Sequence, residues 1–165
     1  MKNSFSYIVI GVLILSIVSS CSRKKDRFLN RSWHSVNTKY NVLFNGNVAL
    51  ESGKNAVITA YKDNYWEILP VERLQTTDAI VLGNKAKNPS IELAEVKAVK
   101  AIQKHGMNIK GKEKNPQIDE AYMLLGKARY FDNRFIPALE AFNYILFKYP
   151  ASSNINLAKI WRAKT

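Results

Sequence analysis

The chain predicts an all-α fold built of helical hairpins, and three observations carry that prediction. Apolar residues recur at spacings of three and four along residues 88–106 and again through residues 119–150. Gly and Pro are sparse, seven and five residues, and cluster between segments. Two Asn-Pro pairs, Asn88-Pro89 and Asn115-Pro116, stand in front of periodic stretches, as a cap followed by a first helical residue would.

Residues 1–20 read as a signal that is removed. Met1 and Lys2 make a short positive start, Tyr7 to Val18 is almost unbroken apolar, and Ser19 and Ser20 lead into Cys21, the sole cysteine. This order of charge, apolar run and small residues is that of a secretory signal. The run falls short of the ~20 apolar residues that a spanning helix needs. Val18-Ser19-Ser20-Cys21 resembles the lipobox of a bacterial lipoprotein, with Val18 where Leu is commoner. An ordinary secretory signal that ends at a chance Cys is the alternative. Acyl chains on Cys21 would hold the protein firmly, since each buried methylene contributes about 0.8 kcal/mol.

Residues 21–31 then form a basic tether. Arg23, Lys24, Lys25 and Arg27 would stand within about 10 Å, one Debye length, of anionic headgroups, and they serve equally as a solvated linker. Residues 32–87 make an aromatic-rich, partly helical region. Trp33, Tyr40 and Phe44 are expected to pack, while the Asn residues and Gly46 disfavour a long early helix. A helix is expected from about Val48 to Glu67, weakened by Gly53 and stopped at Leu69-Pro70. Ala79-Ile80-Val81-Leu82 fits a helical turn or a buried extended segment.

Residues 88–118 form a helix and a basic loop leading into the repeats. Ile91, Ala94, Ala98, Ala101 and Ile102 share one apolar face, Lys97, Lys100, Gln103 and Lys104 the wet one, and Gly106 ends the helix. Asn115-Pro116 repeats the start signal, and Asp119 and Glu120 complement the positive helix end.

Residues 119–150 decide the architecture. Tyr122 holds a first large position, Leu125-Gly126 forms a Leu-Gly pair, and Asp132-Asn133-Arg134 makes a turn. Ala138, Phe142 and Ile145 recur on the second helix, and Pro150 closes the unit. The block resembles a tetratricopeptide repeat, the 34-residue helix–turn–helix unit that starts an α-solenoid. Gly126 is then the place where the helices cross, Ala138 faces the crossing, and Phe142 fills the wedge between helices. Arg129 departs from the pattern, where a large aromatic is usual, as does Ile145, where Ala is usual. Residues 151–165 read as the first helix of an incomplete second repeat, capped from Ser152, Ser153 or Asn154 and carrying Leu157, Ala158, Ile160 and Trp161. One unit cannot bury its own apolar face, so further helices are expected to cover the surface around Trp161.

The chain carries 25 Lys and Arg against 13 Asp and Glu, and Lys2 alone of these lies in the signal. The remaining excess of positive charge suits an anionic partner: a membrane, lipopolysaccharide, or an acidic protein. A secreted compartment argues against nucleic acid. With Cys21 acylated, no thiol is left for a disulfide. The two histidines, His34 and His105, are too few for a zinc site, which takes three or four ligands. His105 reads as a helix-end residue and His34 as a packing residue. Glu92 and Glu95 share a helix face as a solvated charge pair. No nucleophile has a base and an orienting partner, so no catalytic residue, metal ligand, small-molecule substrate or cofactor beyond the lipid on Cys21 is expected.

One longer pattern is more specific. The lipobox Cys21, the stretch Trp33-His34-Ser35-Val36-Asn37-Thr38-Lys39-Tyr40-Asn41 with Phe44-Asn45-Gly46, Leu69-Pro70 and the repeat together resemble the beginning of SprE/PorW lipoproteins, which belong to the type IX secretion and gliding-motility machinery of Bacteroidota. The resemblance implies a non-enzymatic scaffold at the periplasmic face of the outer membrane, held by lipid and binding other subunits of the machine. By analogy with the concave face of such repeats, Glu120, Met123, Lys127 and Tyr130 would meet the partner. The rival expectation is a basic module that binds lipopolysaccharide or another anionic envelope polymer directly. An enzyme whose active site follows Thr165 is a third.

Overall fold

A computed structural model describes residues 22–74 and 88–165. The signal, Cys21 and the 79–82 segment lie outside the described residues. Those described form helices α1 (Phe28–Val36), α2 (Phe44–Ala60), α3 (Pro89–His105), α4 (Ile118–Phe131), α5 (Phe135–Lys148) and α6 (Ile155–Lys164). A π-helical stretch, Asn37–Leu43, joins α1 to α2. A two-stranded ribbon, β1 (Asn108–Ile109) and β2 (Lys112–Glu113), interrupts the α3–α4 connection with Asn108 opposite Glu113. The fold is all-α, and from α2 onward each helix packs on the next.

Local chemistry explains most boundaries. Asn88 caps α3 by accepting from the Ser90 and Ile91 amides at 2.9 and 3.4 Å, with Pro89 just inside. Ile91, Ala94, Ala98 and Ala101 are fully buried, and the small alanines let α2 and α4 approach α3 closely. Helix α4 is covered along most of its length, burying Ala121, Met123, Leu124, Leu125, Ala128, Tyr130 and Phe131. The α4–α5 hairpin crosses at Gly126, where a Cβ would overlap the Phe142 ring, 2.6 Å from Cζ. Phe142 is fully buried in that wedge, a contribution of about 1.5–3 kcal/mol. Asn133, with φ 60°, turns the chain between the two helices.

Four expectations change. The early helix is long: it runs from Phe28 through the π-stretch to Ala60, starting inside the basic tether and ending well before Leu69-Pro70. Packing overrides propensity here, because Gly46 and Gly53 are contact points; Cβ atoms there would come 2.6 Å from Leu124 and 2.5 Å from Ile91. Trp33, Tyr40 and Phe44 do not pack inward but stand 54%, 67% and 62% exposed. Asn115-Pro116 precedes α4 but does not cap it: the Asn115 side-chain oxygen accepts from Gln117 N at 3.1 Å, and α4 opens two residues after the proline, at Ile118. The basic loop is a ribbon turned by Lys110 (φ 52°) and Gly111 (φ 78°), the paired left-handed geometry of a tight hairpin. Glu113 secures its base by accepting from Met107 N and Asn115 N at 2.7 and 2.9 Å.

Candidate interaction surface

The expected partner-facing residues sit on α4, which α5 and α6 hold in place. Tyr130 lies 5.6 Å from Phe135 and 5.4 Å from Trp161, and Trp161 stacks on Phe142 at 6.1 Å. Three ammonium groups fringe these rings. Lys54 Nζ is 5.8 Å from the Phe131 centroid, Lys127 Nζ 5.4 Å from Trp161, and Lys164 Nζ 4.7 Å from Trp161. A cation over a ring face is attracted by its quadrupole, worth about 0.5–1 kcal/mol where solvent reaches it. One carboxylate is seated on this face already: Glu72 accepts from the Tyr130 hydroxyl at 2.7 Å and pairs with Lys164 at 2.8 Å. Burial lowers the Lys127 pKa, and nearby Lys54 adds to the effect while Glu51 and Glu120 oppose it. Burial, then the bond to Glu72, raises the Tyr130 pKa.

The structure divides the four expected contact residues. Met123 and Tyr130 are 3% and 6% exposed and belong to the packed interior, although the Tyr130 hydroxyl reaches Glu72. Glu120 and Lys127 are half-buried and reach the surface.

The basic cluster is less free than a linker would be. Arg23 Nη1 donates to the Gln103 carbonyl, Asn30 Nδ2 donates to Ser22 O at 2.7 Å, and Asp26 pairs with Lys114 at 3.2 Å. Lys24, Lys25 and Arg27 stay exposed. Arg23 and Lys24, with Lys110, rim a cleft of about 580 Å³ floored by Tyr122, Tyr144 and Tyr149. Tyr122 stacks on Tyr144 at 4.3 Å, and burial followed by that neighbour's hydrogen bond raises the Tyr122 pKa.

Two clusters were missed in the sequence. Glu95 is no solvated partner of Glu92: it accepts from Arg129 Nε at 2.8 Å and pairs with Arg134, which also binds Asp132 at 2.8 Å. The signal was Arg129 itself, a cation where the repeat pattern has an aromatic, which requires a buried partner. His34 and His105, seventy-one positions apart, meet at 3.1 Å between their Nδ1 atoms. One ring must donate there and the other accept, so at most one is charged. Beside them Thr38 Oγ1 donates to His34 O at 2.6 Å and accepts from Asn115 Nδ2 at 3.0 Å. Sequence spacing offered no signal for this pair, because only the fold of α1 onto α3 makes it. Among the described residues, no group of three or more His, Cys, Asp or Glu is placed to hold a metal ion.

No protein-family model matches this chain, and a search of curated proteins returns no match.

Proposed function

We propose that this protein is a periplasmic scaffold, anchored to the outer membrane through lipid on Cys21, that binds other components of a type IX secretion and gliding-motility machine through its helical hairpins. The observation that carries this reading is the lysine-fringed aromatic face on α4 and α6, where the Glu72 carboxylate, carried on a bend of the chain, sits between Tyr130 and Lys164. An acidic segment of a partner offers the same chemistry. Charge complementarity of this kind sets encounter rate and specificity, while the ring cluster supplies burial. The protein then works by attachment rather than by bond-making chemistry.

Anchoring is tested by labelled fatty-acid incorporation and carbonate extraction of envelopes. The native chain should take up label and resist extraction. Cys21→Ala should take up none, be extracted, and abolish secretion; an unlabelled yet extraction-resistant, fully functional variant overturns the anchoring. A second reading, direct binding of lipopolysaccharide or another anionic polymer, draws on Arg23, Lys24 and Lys110 around the tyrosine cleft. Its mark would be binding that survives removal of every protein partner and weakens steeply with salt.

A further inference from the structure

Helix α1 and the start of the π-stretch are inside out. Their buried side is polar: Asn30, His34 and Thr38 are 2%, 7% and 0% exposed, and apolar burial begins only with Val42 and Leu43 at the end of the π-stretch. Their outward side is apolar, with Phe28, Leu29, Trp33, Val36 and Tyr40 all more than half exposed, and Phe44 and Val48 continue the row on α2. Spacings of three and four keep this stripe on one side of the helix, and with about 1.5 Å per residue in its α-helical parts and less in the wider π-stretch it is about 30 Å long. Among the described residues nothing covers it. Isolated exposed apolar side chains are ordinary, but a contiguous row marks a surface that meets another apolar phase.

Charge says which phase. From Arg27 to Leu50 there is no Asp or Glu, while Arg27, Arg31 and Lys39 are present and exposed. Lys39 Nζ lies 5.3 Å from the Tyr40 centroid, a basic group beside the stripe, and a lysine can cover apolar surface with its stem while its ammonium stays in water. Basic residues on the flanks with Trp, Tyr and Phe on the exposed side are the composition of a helix that lies in an anionic lipid interface. A second copy of this chain fits poorly, because the span from Arg27 to Leu50 brings only positive charge to such a contact, and Asp26 at its edge is already paired with Arg31 and Lys114.

We propose that the outward stripe Phe28–Val48 lies in the headgroup–acyl boundary of an anionic bilayer, so that the polar side of α1 faces the helical stack and the apolar side faces lipid. This deepens the anchoring part of the proposed function without depending on Cys21. A bare tether would let the stack swing freely, whereas an embedded helix would fix which side of it faces away from the membrane.

The test uses the full chain with Cys21→Ser, so that no acyl chain is attached, and a polarity-sensitive fluorophore on Tyr40→Cys. A control carries the fluorophore on Lys159→Cys of α6. Vesicles are phosphatidylethanolamine–phosphatidylglycerol, with and without brominated acyl chains. The proposal predicts a blue shift and bromine quenching at position 40, neither at 159, and loss of both when Trp33→Ser and Phe44→Ser are added. A fluorophore at 40 that stays in water overturns it, as does equal quenching at 159 or a signal that survives the double substitution. A shift without lipid that grows with protein concentration assigns the stripe to a second copy and also overturns it. Lipidation is read separately by fatty-acid labelling, so failure of one test leaves the other standing.

Discussion

Single atoms decide several of these contacts. A methyl at Gly126 has nowhere to go, because the Phe142 ring fills the space and is itself fully buried. Gly126→Ala should therefore cost about 1–3 kcal/mol, read as a lower urea midpoint with an unchanged slope. Gly46→Ala should also destabilise, since a Cβ there meets the buried Leu124 at 2.6 Å and Lys97 Cβ at 3.1 Å. Glu95 is the ionic counterpart. Burial would raise its pKa, but hydrogen bonds from Arg134 and Arg129 outweigh burial and hold it below the usual 4.5. A depressed carboxylate stabilises the fold above its unfolded pKa, and that stability is lost as pH falls below about 4.5 through the folded value. Glu95→Gln should flatten this acid limb, and Glu95→Ala should cost about 3 kcal/mol at neutral pH by leaving two guanidinium groups short of a carboxylate.

At the scale of elements, α1 is clipped to α3 by the histidine pair. Burial lowers both pKa values, with Arg23 adding to the effect on His34, and His34 and Lys100 adding to it on His105. A lowered histidine leaves the folded state less protonated than the unfolded one, so stability is full above about 6.5 and falls as pH drops through that range. Urea midpoints should fall between pH 7.5 and 5.5, and His105→Asn should flatten the change. Asn88→Ala should cost about 1 kcal/mol through its lost cap. Helices with a complete local code were legible in the sequence: Asn88-Pro89, the alanine face of α3, and the Gly126–Phe142 crossing. The long first helix was not, because its glycines look like breakers until the neighbours that need the room are in place. Its outward aromatics resemble core residues in the sequence for a related reason: period gives a face but not which way the face points. In the candidate surface, Lys127 was legible from the repeat pattern. Glu72, Lys54 and Lys164 were not, since they reach the same rings from segments far apart in sequence.

At the scale of the whole molecule, two surfaces differ in their chemistry. The stripe on α1 carries apolar rings with basic flanks, and the face on α4 and α6 carries rings with lysines around a seated carboxylate. Among the described residues no helix is long and apolar enough to cross a membrane. Leu157 and Ile160 remain 39% and 62% exposed on α6, while Trp161 is packed on Tyr130, Phe131 and Phe142, so the exposed apolar surface of α6 lies beside the tryptophan rather than on it. Raised salt should weaken partner binding through the lysines, because exposed charges are screened within about 8 Å at physiological ionic strength. The central claim, a lipid-anchored scaffold that grips protein partners, is tested most directly by capture of the full lipidated chain from crosslinked envelopes. The account predicts recovery of secretion-machine subunits, and their loss by about tenfold with Lys127→Glu and Lys164→Glu while fatty-acid labelling persists. Recovery of lipid or polysaccharide alone, or undiminished capture by the charge-reversed chain, would contradict it.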